Sequence, residues 1–237
     1  MPATDEEARP RRRPWGRPLG VLLAAVGLTL SSGKAHPAEV ILVDLELAGP
    51  GQNIDDPCFW VDPNDPSGTL VFVTSKDSGL VEVFNVVAGE LTATIPGFGK
   101  ANNCAVEGDL LLTTDRAHKD IKVHHLPDLA LVRTFGEHLG EPEGIDVLDG
   151  PGGQKLVYVT DEIDASVHVY DLASGDLVRR FPTGFGAGIE PILADDRHQR
   201  IYVSRGENES QRGIGLFTPD GELIREFAAE TFSSDAE

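Results

Sequence analysis

The feature that most constrains this chain is a recurring order of short apolar strands. Leu70-Val-Phe-Val-Thr-Ser, Leu110-Leu-Leu-Thr-Thr, Leu156-Val-Tyr-Val-Thr and Ile201-Tyr-Val-Ser share one pattern. Each is followed by a polar turn and a second strand: Leu80-Val-Glu-Val-Phe, Ile121-Lys-Val-His-His, Val167-His-Val-Tyr and Ile214-Gly-Leu-Phe. A third follows over 89–95, 129–135, 175–181 and 221–227. Ahead of each set a polar or acidic residue opens a further strand: Asp56, Asn102, Glu143 and Glu190, spaced 46, 41 and 47 residues apart. Four antiparallel strands in a repeat of about 40–50 residues is the period of a β-propeller blade. A β-sandwich is the alternative, and it would have to produce that period by accident. No stretch sustains helical periodicity. The expected fold is therefore all-β, a propeller of four-stranded antiparallel blades.

Residues 38–48 alternate in the manner of one more strand. Another 47 residues beyond Glu190 falls on Glu237, the last residue. Four blades and the opening of a fifth are expected, with the propeller domain running over 39–237 and incomplete at its C-terminus.

Residues 1–38 read as a secretory signal peptide. Arg9, Arg11, Arg12, Arg13 and Arg17 form a basic region, the apolar run Leu19–Leu30 follows, and small residues offer cleavage after Ala35 or Ala38. The run is too short for a comfortable membrane span. Arg12-Arg13 leaves Sec and twin-arginine export both open. A secreted protein, extracellular or periplasmic, is expected.

Charge narrows the partners. The formal net charge is −19, and the basic N-terminal segment makes the remainder more acidic still. Such a surface repels nucleic acid and anionic membranes. It would also repel an anionic substrate, unless bound cations invert the local field. A monomer acting on a small molecule is expected.

Asp55 and Asp56 stand before Pro57, which fixes its own φ and holds the preceding residue extended. Two carboxylates presented at the mouth of a strand suit a hard cation, which wants several oxygens at one point. An Asx turn opening a strand is the plainer reading of the pair alone.

With the blade openings in view, the chain resembles the β-propeller phytases, six-bladed calcium-dependent phosphatases. Asp55-Asp-Pro-Cys-Phe-Trp-Val-Asp-Pro63 is similar to that family's D-D-P-A-[IL]-W-V-x-P. Thr74-Ser-Lys-Asp-Ser-Gly-Leu80 is similar to its T-N-K-K-S-G-L, and Asn102-Asn103 takes the place of its N-N-V-D. Glu190 with Ala194-Asp-Asp196 and Ile201-Tyr-Val-Ser resembles E-G-x-x-A-D-D…L-Y-I-A, and Asp235-Ala-Glu237 the start of D-x-E-G-[IL]. The resemblance implies calcium as cofactor and an inositol phosphate as substrate, attacked by a calcium-bound water. It implies Asp55, Asp56, Asn102, Glu190, Asp235 and Glu237 as calcium ligands, with Lys76 and Arg116 gripping phosphate. Glu143 is placed by the repeat alone, as an inner-ring oxygen. The chain departs from the pattern at Ala105, Asp77, Asp161-Glu162 and Arg205-Gly206.

Cys58 and Cys104 both follow the Asp56 and Asn102 positions by two residues. That equal offset leaves an inter-blade disulfide open, but the spacing of inner strands favours two buried free thiols. His118, His124, His125 and His138 read as surface or packing residues, because adjacent strand residues face opposite sides. Trp60, Phe72, Phe84, Tyr158 and Tyr170 are expected between blades. Asn208-Glu-Ser210 fits a glycosylation sequon. A non-catalytic propeller is the competing reading, since Glu141-Pro-Glu-Gly-Ile-Asp-Val resembles an NHL-type repeat as much as a phytase blade. A propeller lactonase fits less well, lacking the Asp-Asp-Pro opening.

Overall fold

The computed structural model describes residues 45–205 and 213–227. The expected signal segment, the sequon at Asn208 and the candidate ligands Asp235 and Glu237 lie outside the described residues. The chain divides into two units, Met1–Ala48 and Gly49–Glu237. Within the first, residues 45–48 form no strand, unlike the pattern read over 38–48.

The second unit is built of four four-stranded antiparallel sheets, each made of strands consecutive in sequence. The first holds β1 (Ile54–Trp60), β2 (Leu70–Ser75), β3 (Leu80–Asn85) and β4 (Glu90–Pro96). The second holds β5 (Ala101–Glu107), β6 (Leu110–Asp115), β7 (Asp120–His125) and β8 (Leu131–Phe135). The third holds β9 (Pro142–Asp149), β10 (Lys155–Asp161), β11 (Ser166–Asp171) and β12 (Leu177–Pro182). The fourth holds β13 (Ile189–Asp195), β14 (Arg200–Arg205), β15 (Ile214–Phe217) and β16 (Leu223–Phe227). These are propeller blades, as the repeat predicts. The strand β8 starts two residues later than its pattern because Leu129 adopts a φ of 60°, which takes it out of the ladder.

Burial explains the sequence pattern. The second strand of each blade lies mid-sheet and is covered on both faces, so it reads as a continuous apolar run. Every residue of β2 is buried, and only the first of β6 and of β10 is not. The fourth strands are mostly exposed and alternate with charge. Three apolar layers fill the spaces between successive blades. Trp60 and Phe72 pack with Leu111 and Leu126. Leu112 and Val123 pack with Val159 and Tyr170. Tyr158 and Val169 pack with Ile201 and Phe217. Third-blade tyrosines reach both neighbours: Tyr170 Oη donates to the Glu137 carbonyl at 2.8 Å and Tyr158 Oη to the Pro219 carbonyl at 3.0 Å.

Cys58 and Cys104 form a disulfide with Cα atoms 5.8 Å apart, so the expectation of free thiols is corrected. The reason is register. Cys58 lies opposite Phe72 in its blade, while Cys104 lies opposite Thr113, one step further along the ladder. Pro57, not Cys58, occupies the place equivalent to Cys104. Strand side chains alternate in direction, so this one-residue offset turns the two sulfurs toward each other.

Candidate metal and phosphate site

Every inner strand carries one extra residue near its start. Between Ile54 and Pro57, Ala101 and Cys104, Pro142 and Ile145, and Ile189 and Ile192, three steps on the inner strand span two on its partner. These are β-bulges, which bend a strand and re-aim its side chains. The bulged pairs are Asp55-Asp56, Asn102-Asn103, Glu143-Gly144 and Glu190-Pro191. Register therefore equates Asp55, not Asp56, with Asn102, Glu143 and Glu190. Each bulge is a candidate site position, and all four are mounted alike.

A hydroxyl fastens each bulge to the next. Thr74 Oγ1 accepts from the Asp56 N–H at 3.1 Å and donates to the Asn102 carbonyl. Thr114 accepts from Asn103 N–H and donates to the Glu143 carbonyl, both at 2.9 Å. Thr160 accepts from Gly144 N–H at 2.8 Å and donates to the Glu190 carbonyl at 2.6 Å. In the fourth blade Ser204 takes the threonine's place, and Pro191 has no N–H to give it. Its buried hydroxyl has no partner among the described residues. Glycine is required at 144, where a Cβ would stand 2.6 Å from the Glu190 carbonyl oxygen.

The bulges bring the predicted residues together. Asp55, Asp56, Lys76, Asn103, Glu143, Glu190 and Pro191 line a small polar pocket of about 30 Å³. A water needs roughly 10–15 Å³ on this measure, so the pocket suits an ion and its waters rather than an organic ring. A cleft of about 270 Å³ lies against it, lined by Asp56, Asn103, Gly144 and Pro191 together with Asp146 and the disulfide. Lys76 Nζ pairs with Asp55 at 2.8 Å, and Asn103 Nδ2 donates to Asp56. Asn103 is a site residue that the sequence reading did not single out; its adjacency to Asn102 in a bulged pair was the available signal.

Arg116 is placed beside the pocket but is heavily engaged. Its guanidinium pairs with Glu141, Glu143 and Glu162. The Lys76, Arg116 and Glu162 N–H groups each donate to the carbonyl of the residue just before an inner strand, which shows that these three are equivalent blade positions. The third blade thus supplies a carboxylate where the first two supply a cation. Among the described residues, six carboxylates (Asp55, Asp56, Glu141, Glu143, Glu162, Glu190) lie with two cations, Lys76 and Arg116. Burial pushes the Glu143 carboxyl up to about 7, against the opposing pull of Arg116 and the Asn102 amide. Asn102 is fully buried; its Nδ2 donates to Glu143 and Asn103, and its Oδ1 has no partner among the described residues. A buried orphan oxygen beside an excess of carboxylates is the donor set a hard divalent cation needs.

The remaining histidines behave as packing or surface groups. His124 is buried with its ring 6.0 Å from that of Phe98, while His125 is half-buried and His118 and His138 are exposed.

Blades of this kind, with bulge-mounted oxygens gathered at the ends of neighbouring inner strands, define a propeller with an acidic cluster at one end of those strands. The sequence profile of the Phytase family matches residues 22–122, which take in the first blade and most of the second. The resemblance read from Asp55-Asp-Pro and Thr74-Ser-Lys is thereby borne out over that part of the chain. Among solved structures, the fold is similar to a chain of Kuenenia stuttgartiensis hydrazine synthase, with a TM-score of 0.60 at 15% identity. The alignment covers 81% of this chain and 52% of that one, so the present chain spans about half its length. That likeness is one of fold. No curated protein sequence matches the chain.

Proposed function

We propose that the protein is a calcium-dependent phosphomonoesterase acting on phytate or a related inositol phosphate. The observation that carries this reading is the convergence of Asp55, Asp56, Asn102, Glu143 and Glu190 on one end of the inner strands, beside Lys76. All five offer oxygen, which favours a hard cation such as calcium over a softer one. Asp235 and Glu237 belong to the proposed ligand set through the family motif alone. When bound, such a cation supplies charge neutralisation and a water acidic enough to attack near neutral pH.

The chain's own residues have separate tasks. Lys76 and Arg116 bind phosphate oxygens, Lys76 as a point charge and Arg116 through its fork of donors. Both are held by carboxylates, so substrate binding requires those carboxylates to turn toward the cation. The pocket is too small for an inositol ring, which would lie across its mouth with one phosphate directed inward. The same reading has the protein exported by its N-terminal segment and active as a monomer, with nucleic acid and membranes repelled by its acidity.

A second reading is favoured by one observation. Arg116 is held by three carboxylates, and Glu162 stands where the first two blades have Lys76 and Arg116. A propeller of this composition serves equally as a non-catalytic, NHL-like binding module. Phosphate release from phytate by the full chain, with calcium and with excess chelator, separates the two. Release that calcium supports and chelator abolishes is the expected result. No release under calcium would leave the binding module.

A further inference from the structure

A second cluster lies outside that pocket, at the turn joining β10 to β11. We infer that Asp161, Asp164 and His168 form a binding site for a zinc-class divalent transition cation. The three offer one ligand atom each, all within 4.8 Å of one another. His168 is fully buried and Asp161 nearly so, while Asp164 is partly exposed and gives the ion a way in.

Hydrogen bonding fixes which imidazole nitrogen faces the cluster. Tyr170 Oη lies 2.8 Å from the Glu137 carbonyl, which can only accept, so the phenolic proton is committed there. His168 Nδ1 lies 3.3 Å from the same Oη, and the bond between them therefore runs from Nδ1–H to Tyr170. In the neutral ring, that leaves the lone pair on Nε2. It faces Asp164 Oδ2 at 3.5 Å and Asp161 Oδ2 at 3.9 Å, and Nε2 makes no hydrogen bond among the described residues. A lone pair aimed at two carboxylates is repulsive unless a cation stands between them. Ligands about 2.0–2.1 Å from a tetrahedral ion stand roughly 3.3–3.4 Å from each other, close to the 3.5 Å between Nε2 and Asp164 Oδ2 and within a small side-chain adjustment of the 3.9 Å to Asp161 Oδ2. The outward nitrogen bound to a phenol is the arrangement that orients a ligating histidine.

The second blade solves the same problem with a fixed charge. Asp115 matches Asp161: it accepts from Gly99, Lys100 and His118 N–H groups, as Asp161 accepts from Gly140, Glu141 and Ile163. The residue matching His168 is Lys122, since each sits opposite the residue just before the blade's bridging threonine. Its ammonium lies 2.7 Å from Asp115 and 2.8 Å from Asp120. The third blade replaces that ammonium with an imidazole and adds Asp164. Ser166 Oγ donates to one Asp164 oxygen and Arg180 pairs with the other at 3.1 Å, but Arg180 is more than half exposed and its pull is screened. A bound cation would stand where Lys122 places its charge.

The inference is independent of the phosphatase reading. It is tested on the untagged, metal-stripped full chain by zinc titration calorimetry, with cobalt substitution followed by visible absorption. Wild type should bind zinc and give the absorption of an imidazole-ligated cobalt ion. Asp164→Asn should weaken zinc binding by about tenfold or more, a loss typical of damage to a metal site, and abolish the cobalt spectrum. His168→Lys, which copies the second blade, should lose the zinc-induced rise in melting temperature. Should this variant fail to fold, Asp164→Asn decides alone. Failure of wild type to bind either ion, or undiminished binding in Asp164→Asn, would overturn the inference.

Discussion

Asp115 shows how much a single buried carboxylate can commit to a blade. It is fully buried and accepts from the Gly99, Lys100 and His118 amides, with Lys122 and the His118 ring against it. Burial alone would raise its pKa. The Lys122 bond and the three amides outweigh that and hold it well below the usual carboxylate range. A depressed folded-state value means the stabilisation is present above the unfolded-state pKa and is lost as pH falls toward the folded one. The unfolded value is about 3.9. Urea midpoints of wild type should therefore fall more steeply below about pH 4 than those of Asp115→Asn, and the gap between them at pH 7 should narrow. Parallel profiles would contradict this account of Asp115.

At the scale of elements, the bulge and its bridging threonine build the site. Each bulge re-aims the backbone near the start of its inner strand, and Thr74, Thr114 and Thr160 tie each bulge to the next. The Cys58–Cys104 disulfide joins the first two inner strands just below, closing a segment 46 residues long. Cross-links over loops of that order contribute about 2–4 kcal/mol. The double substitution of both cysteines by serine should lower stability by about that much in denaturant titration; an unchanged midpoint would mean the bond is not formed in solution. The strands were legible in the sequence because each blade's second strand carries an unbroken apolar run. Register was not. Each bulge holds a pair of consecutive residues, and the apolar pattern does not say which member of Asp55-Asp56 aligns with Asn102, so Asp56 and Cys58 seemed to match Asn102 and Cys104, whereas Asp55 and Pro57 do. The error also concealed the disulfide.

For the whole molecule, the site exists only because successive blades present equivalent positions side by side. Sequence reading singled out Asp55, Asp56, Asn102, Glu143, Glu190 and Lys76, because repeat order or family motif marks each of them. It did not reach the state of Arg116, whose partners Glu141 and Glu162 come from two separate loops of the next blade. Nor did it reach the Asp161, Asp164 and His168 cluster, whose meaning rests on which nitrogen of a buried ring bears the proton. The central claim is that the bulged carboxylates together hold calcium. Calcium titration calorimetry on the full chain, wild type against Asp55→Asn/Asp56→Asn, tests it most directly. The account predicts calcium binding in wild type that weakens by about tenfold or more, at least 1.4 kcal/mol, in the double variant. Equal affinity in the two proteins, or no binding in either, would contradict it.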